Sequence, residues 1–108
     1  MIALKAGVES KGIQPRALLI IMVVESVFRH FGLGTIVTSL LDGKHQENSW
    51  HYRGEAVDFR TKHIPSQLKK PIIEAVKGAL PGFDVIFENE GKANEHLHIE
   101  PGTGGHDH

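Results

Sequence analysis

The sequence predicts an α+β domain in which two to three helices pack against a small antiparallel sheet. Three observations support this. The chain has 108 residues, enough for one hydrophobic core and too few for two. Its apolar segments are of two kinds, long ones with helical spacing and short ones typical of buried strands. Their order along the chain is helix, strand, strand, helix, strand, strand, without a visible repeat.

Two segments have the pattern of helices. The first, PRALLIIMVVESVFRHFG, has Pro15 suited to the first helical position and Gly32 suited to the stop. Its β-branched residues would also allow a buried strand, but its length of about 17 residues favours a helix. The second, PIIEAVKGAL, opens at Pro71. Its apolar side chains form one helical stripe: Ile72, Ala75, Val76 and Ala79.

Four short segments predict strands: GTIVTSL (34–40), GEAVDF (54–59), FDVIFE (83–88) and HLHIE (96–100). The turn-rich NEGKAN between the last two is suited to a hairpin. The N-terminal MIALKAGVESKGI is mixed and ambiguous. We therefore expect a single domain over residues 1–101 and a flexible tail over 102–108.

Composition excludes several functional classes. A net charge of -1 gives no basic field for nucleic acid. The absence of cysteine rules out disulfides and thiolate metal sites. The most apolar run, ALLIIMVV, is far shorter than the roughly 20 residues of a membrane span, and no signal peptide is visible. We expect a soluble monomer, made in the cytoplasm, that neither binds nucleic acid nor inserts into a membrane.

The eight histidines fall mostly in two clusters, 45–63 and 96–108. In EHLHIE, the alternation of a strand puts Leu97 and Ile99 on one face, with His96, His98 and Glu100 on the other. A His-x-His pair in an edge strand is more often a surface feature than a metal site. The His-x-His pattern becomes more specific for a metal site when the other histidine cluster supplies a carboxylate nearby.

That carboxylate is Asp58. It lies between Val57 and Phe59 in the strand, so its side chain is on the face opposite the core. If its strand neighbours HLHIE, Asp58 and His98 point into one groove, and His51 can fold back over it. Two imidazoles and one carboxylate leave a zinc ion one open position for water, which is the catalytic arrangement. The alternative is a turn leading into a strand, with its polar residues scattered by chance.

The motifs resemble a family of zinc peptidases that contains D-alanyl-D-alanine carboxypeptidases and phage L-alanyl-D-glutamate endopeptidases, with a hedgehog-like fold. SWHYRGEAVD (49–58) resembles its Ser-x-His-x-x-Gly-x-Ala-x-Asp pattern. EHLH (95–98) resembles its Glu-x-x-His motif and the His-x-His of the wider superfamily, and IVTS (36–39) resembles the preceding strand. The likeness runs from about Ile13 to Pro101, closest to small phage-encoded members. It implies zinc held by His51, Asp58 and His98, with Glu95 as general base.

One departure concerns substrate binding. The family usually follows Thr-Ser with a glycine and an arginine, whereas this chain reads TSLLDGKH. Lys44, His45 or Arg60 could supply the positive charge instead, although lysine and arginine are not interchangeable. Ser49 could hydrogen-bond a ligand or the substrate, or cap the turn.

A second question is the strand register at Glu95. Residues three apart on a regular strand face opposite sides, so Glu95 shares a groove with His98 only if it lies in the incoming loop or a bulge. If the strand starts earlier, His96 is the better candidate for proton handling. Glu100 could accept the free N–H of a ligand histidine, or be a solvated acid at the strand end.

The resemblance implies a zinc-dependent hydrolase that cleaves an amide bond in D-amino-acid-containing peptidoglycan peptides. It would act on the bacterial cell wall after release from the host cytoplasm or from a virion. The alternative is a non-enzymatic metal-binding or virion structural protein on the same fold. The presence of Glu95 close to His98 in the sequence favours the enzyme, because metal binding alone would not need this glutamate.

Overall fold

The computed structural model describes residues 2–5, 15–41 and 56–102. Two helices and five strands occur in these ranges. Their bounds, in chain order, are β1 (Ile2–Leu4), α1 (Pro15–His30), β2 (Thr35–Leu41), β3 (Ala56–Arg60), α2 (Ser66–Ala79), β4 (Phe83–Glu88) and β5 (His96–Pro101). The α+β class is confirmed.

The strands form one five-stranded sheet in the order β1-β2-β3-β5-β4. All neighbours are antiparallel except β1, which runs parallel to β2. The sheet is therefore mixed, and the prediction of a purely antiparallel sheet is wrong in this one pairing. The reason is that β1 has only three residues, too few for a recognisable pattern, and is held by backbone bonds such as Lys5 N–H to Val37 O at 2.8 Å.

The second helix begins at Ser66, before the predicted start at Pro71. Pro71 therefore lies inside the helix, where it removes one backbone donor. Leu68 in the added segment packs against the core, so tertiary contact extends the helix beyond its local signal.

Both helices contribute to a single core against one face of the sheet. Alternation in β3 and β5 sends Val57, Phe59, Leu97 and Ile99 to this face, and each is fully buried. The opposite face is left to the polar residues of the same strands. This open face is where the candidate site lies. In the part of the chain that the structure describes, no helix is long and apolar enough to cross a membrane.

Candidate active site on the open face of the sheet

The centre of the site is a contact between two neighbouring strands. Asp58 of β3 and His98 of β5 are register partners in the antiparallel pairing. His98 Nδ1–H donates to Asp58 Oδ1 over 2.6 Å. Both side chains are mostly buried, at 14% and 19% exposed for His98 and Asp58. The structure thus brings together the two predicted zinc ligands that fall in the described residues.

Both ring nitrogens of His98 face carboxylates. Nε2–H donates to Glu100 Oε1 over 2.7 Å. The hydrogen bond to Asp58 has the largest effect on the pKa of His98; it outweighs burial of the ring and, with the contribution of Glu100, raises that pKa to about 9. The metal-free imidazole is therefore charged at neutral pH, and it becomes a metal ligand only by losing a proton.

The chemistry of this donor set fits zinc. A carboxylate oxygen and an imidazole nitrogen are both zinc ligands, so Asp58 and His98 would hold the ion, and the His98 ring would give up a proton to do so. Glu100 would still accept the Nε2–H bond, the outer contact that orients ligand histidines. The third predicted ligand, His51, lies outside the described residues. Within those residues, no three acidic or histidine side chains form a group that could hold a metal ion.

His96 is the first residue of β5 and shares the open face with His98. Its Nδ1–H donates to Asn94 O over 2.9 Å and its Nε2–H donates to Glu88 Oε1 over 2.7 Å. The same Nε2 lies 4.0 Å from Asp58 Oδ2. Burial lowers the pKa of His96, but the bond to Asn94 and the charges of Asp58 and Glu88 outweigh it, so the pKa is raised.

Carboxylates and imidazoles therefore alternate across three adjacent strands. The row consists of Glu88, His96, Asp58, His98 and Glu100. Glu88 is a member that the sequence analysis missed. Glu88 could have been found from the hairpin predicted across NEGKAN, because a hairpin of that length places Glu88 opposite His96.

Glu95 lies outside β5, in the incoming turn, as its assignment to the site requires. Its carboxylate is buried and bonded on both oxygens. Lys69 Nζ lies 2.9 Å from Oε1 and 2.8 Å from Oε2, Thr61 donates to Oε2 over 2.5 Å, and Gly91 N–H donates to Oε1 over 2.9 Å. Burial alone would raise the pKa of Glu95, but these donors and the Lys69 charge outweigh it and lower the pKa to about 2.

A cleft of about 500 Å³ borders the site. Asp58, Glu95 and His96 line it together. Arg60, one of the proposed substrate-binding residues, also lines the cleft, with Lys5. The other three, Ser49, Lys44 and His45, lie outside the described residues, and their roles stay predictions.

His63 has a structural environment, in line with its position in a loop. Its Nε2 bonds to Gly34 O at 2.8 Å, and its ring centroid is 6.0 Å from that of Phe28. The residue thus ties the segment before α2 to the end of α1. It makes no contact with the row on the open face.

The position of Glu100 leads to a first prediction. Glu100→Gln keeps the size of the side chain but removes the charge that supports the ring of His98. We expect zinc affinity to fall by about 10–100-fold, the usual effect of losing an outer carboxylate. Competition with a chromophoric chelator measures this. The matched control is Glu90→Gln, in the exposed β4–β5 turn; an equal loss there would contradict the assignment.

Comparisons with known proteins do not add to this picture. The chain matches no model of a known protein family, and searches of curated proteins and of solved structures return no similar chain. The functional argument therefore depends on the motifs and on the geometry of the open face.

Proposed function

We propose that this protein is a zinc-dependent peptidase that hydrolyses an amide bond in peptidoglycan stem peptides. The observation that carries the proposal is the pairing of Asp58 with His98 across β3 and β5 at 2.6 Å, beside a cleft that also exposes His96. The predicted third ligand, His51, would complete a set of two imidazoles and one carboxylate. Such a set leaves zinc a position for water.

When bound, zinc would supply Lewis-acid chemistry, activating a water and polarising the amide carbonyl. The chain's own residues must then move protons. We assign this role to His96, because its Nε2 lies on the same face as Asp58 and His98, at 4.0 Å from Asp58 Oδ2. A neutral His96 that keeps its proton on Nδ1, bonded to Asn94 O, can accept a proton at Nε2. Glu88 then accepts the new Nε2–H bond of the charged form, which can return the proton to the leaving amine.

Glu95, to which the resemblance gives the role of base, is less suited in this arrangement. A carboxylate whose pKa is about 2 holds a proton only weakly near neutral pH. Its side chain is also only 2% exposed, against 23% for His96, and three donors hold its oxygens. The presence of Glu95 is thus explained without catalysis, which removes one argument against the non-enzymatic alternative.

The substrate assignment comes from the resemblance and is supported by charge in the cleft. Lys5 and Arg60 line it, and in the described ranges neither side chain has an acidic partner. Stem peptides carry several carboxylates, which these two cations would attract. Action on the cell wall would require release from the cytoplasm or from a virion.

The test is incubation of the purified zinc-loaded protein with muropeptides, with and without a chelator, followed by mass spectrometry. We expect cleavage that the chelator abolishes and that added zinc restores. The masses of the products identify the bond. Intact muropeptides together with demonstrated zinc binding would support the non-enzymatic alternative instead.

A further inference from the structure

The contacts of Glu95 connect three separate parts of the fold. Lys69 belongs to α2, Thr61 follows β3, and Gly91 lies in the β4–β5 turn. The Glu95 side chain is 2% exposed and that of Lys69 18%. A buried carboxylate with a cation and two further donors is a fully satisfied arrangement, and removing one partner leaves an uncompensated buried group. We call Glu95, Lys69, Thr61 and Gly91 the clasp.

The clasp fixes the turn that orients His96. Within that turn, Lys92 N–H donates to Asn89 O and Glu95 N–H donates to Lys92 O, over 2.9 and 3.1 Å. Gly91 has φ +80°, a conformation that favours glycine, and its N–H points at Glu95. The carbonyl of Asn94 then accepts the Nδ1–H bond of His96. The position of the turn thus decides where the opposite nitrogen of that ring points.

We infer that Glu95 is a positioning residue, which with Lys69 and Thr61 holds the β4–β5 turn so that Asn94 directs the His96 ring toward Glu88 and Asp58. Glu95 then acts through His96 and does not itself touch the reacting atoms. The structural part of this inference is independent of the proposed function. Only the role given to His96 rests on it.

The main test uses metal-free protein without substrate, so that a failure of the proposed function does not affect it. We expect Glu95→Gln and Lys69→Met each to lower the Tm by more than about 10 °C, because each leaves a buried group without its partner. The double variant should lose less than the sum of the two, since the partners interact directly. Additive losses, or Tm values within about 2 °C of the parent, would overturn the inference.

Two milder substitutions, both at Thr61, test the inference if the Glu95 and Lys69 variants fail to fold. Thr61→Val removes the hydroxyl donor at nearly constant volume, and Thr61→Ser retains it. We expect the Val variant to exchange the Gly91 amide at least about 10-fold faster and to shift the NMR signals of the His96 ring, because the turn loosens. The Ser variant should match the parent. Unchanged Gly91 exchange and His96 signals in both variants would show that the turn does not depend on the clasp.

Discussion

Asp58→Ala and His98→Ala are each expected to lower zinc affinity by more than about 100-fold. Losing a residue that only supports a ligand costs about 10–100-fold, and loss of the ligand itself removes a bond to the metal. We expect about one zinc per chain in the parent and substoichiometric zinc in both variants. Elemental analysis after gel filtration measures this directly.

His30→Ala is the matched control, because His30 is exposed at the end of α1, away from the open face. It should retain full zinc occupancy. Stoichiometric zinc in a variant that combines Asp58→Ala with His98→Ala would refute the metal assignment. Equal losses in all variants, His30→Ala included, would point to adventitious binding.

Zinc affinity should also depend on pH with a definite sign. The metal binds neutral imidazole, and the pKa of His98 is raised to about 9 in the metal-free protein. Each pH unit below that value should therefore lower affinity by about tenfold through this residue alone. Competition titrations at about pH 6 and about pH 8 measure the slope. Affinity that does not change between them would contradict His98 as a ligand.

The second large effect is expected for His96→Ala, which should reduce kcat by about 10²–10⁴-fold with zinc retained. The reason is that the variant removes the group proposed to handle the proton and leaves both proposed zinc ligands, Asp58 and His98, in place. Single-turnover cleavage of a muropeptide, with zinc measured on the same sample, separates chemistry from metal loss.

Glu95→Gln is the informative comparison, since it removes the other candidate base. Assayed below its melting temperature and loaded with zinc, it should retain more turnover than His96→Ala. The opposite result, with Glu95→Gln inactive and His96→Ala active, would make Glu95 the base, as the resemblance implies. If both variants cleave normally, neither residue is the base.

Much of the open face could be predicted from alternation alone. A period of two decides which side of a strand each residue faces, so Asp58 and His98 could be placed opposite the core before the strands were known to be neighbours. The edge strand β1 could not be predicted, because three residues carry no period and its pairing depends on β2. The start of α2 at Ser66 could not be predicted, because Pro71 has the local pattern of a first helical residue. The contact of Leu68 with the core, which favours the earlier start, depends on the fold and leaves no local pattern.

The environment of Glu95 could not be read from the sequence either. Lys69 and Thr61 are 26 and 34 residues away along the chain, and no spacing rule links them. The motif Glu-x-x-His predicts a role for Glu95 from its neighbour in sequence. The fold adds two donors from distant elements to the N–H of nearby Gly91, and the three together lower the pKa of Glu95.

The position of the site across a hairpin and a distant strand has a consequence for folding order. The β4–β5 hairpin needs only a short turn, and it already carries both imidazoles of the row. Asp58 is 40 residues from His98, and closing that longer loop costs more chain entropy. Contacts between distant residues form slowly relative to local ones. Docking of β3 onto the hairpin therefore completes the pair of Asp58 and His98, and a refolding chain would hold the imidazoles in place before Asp58 joins them.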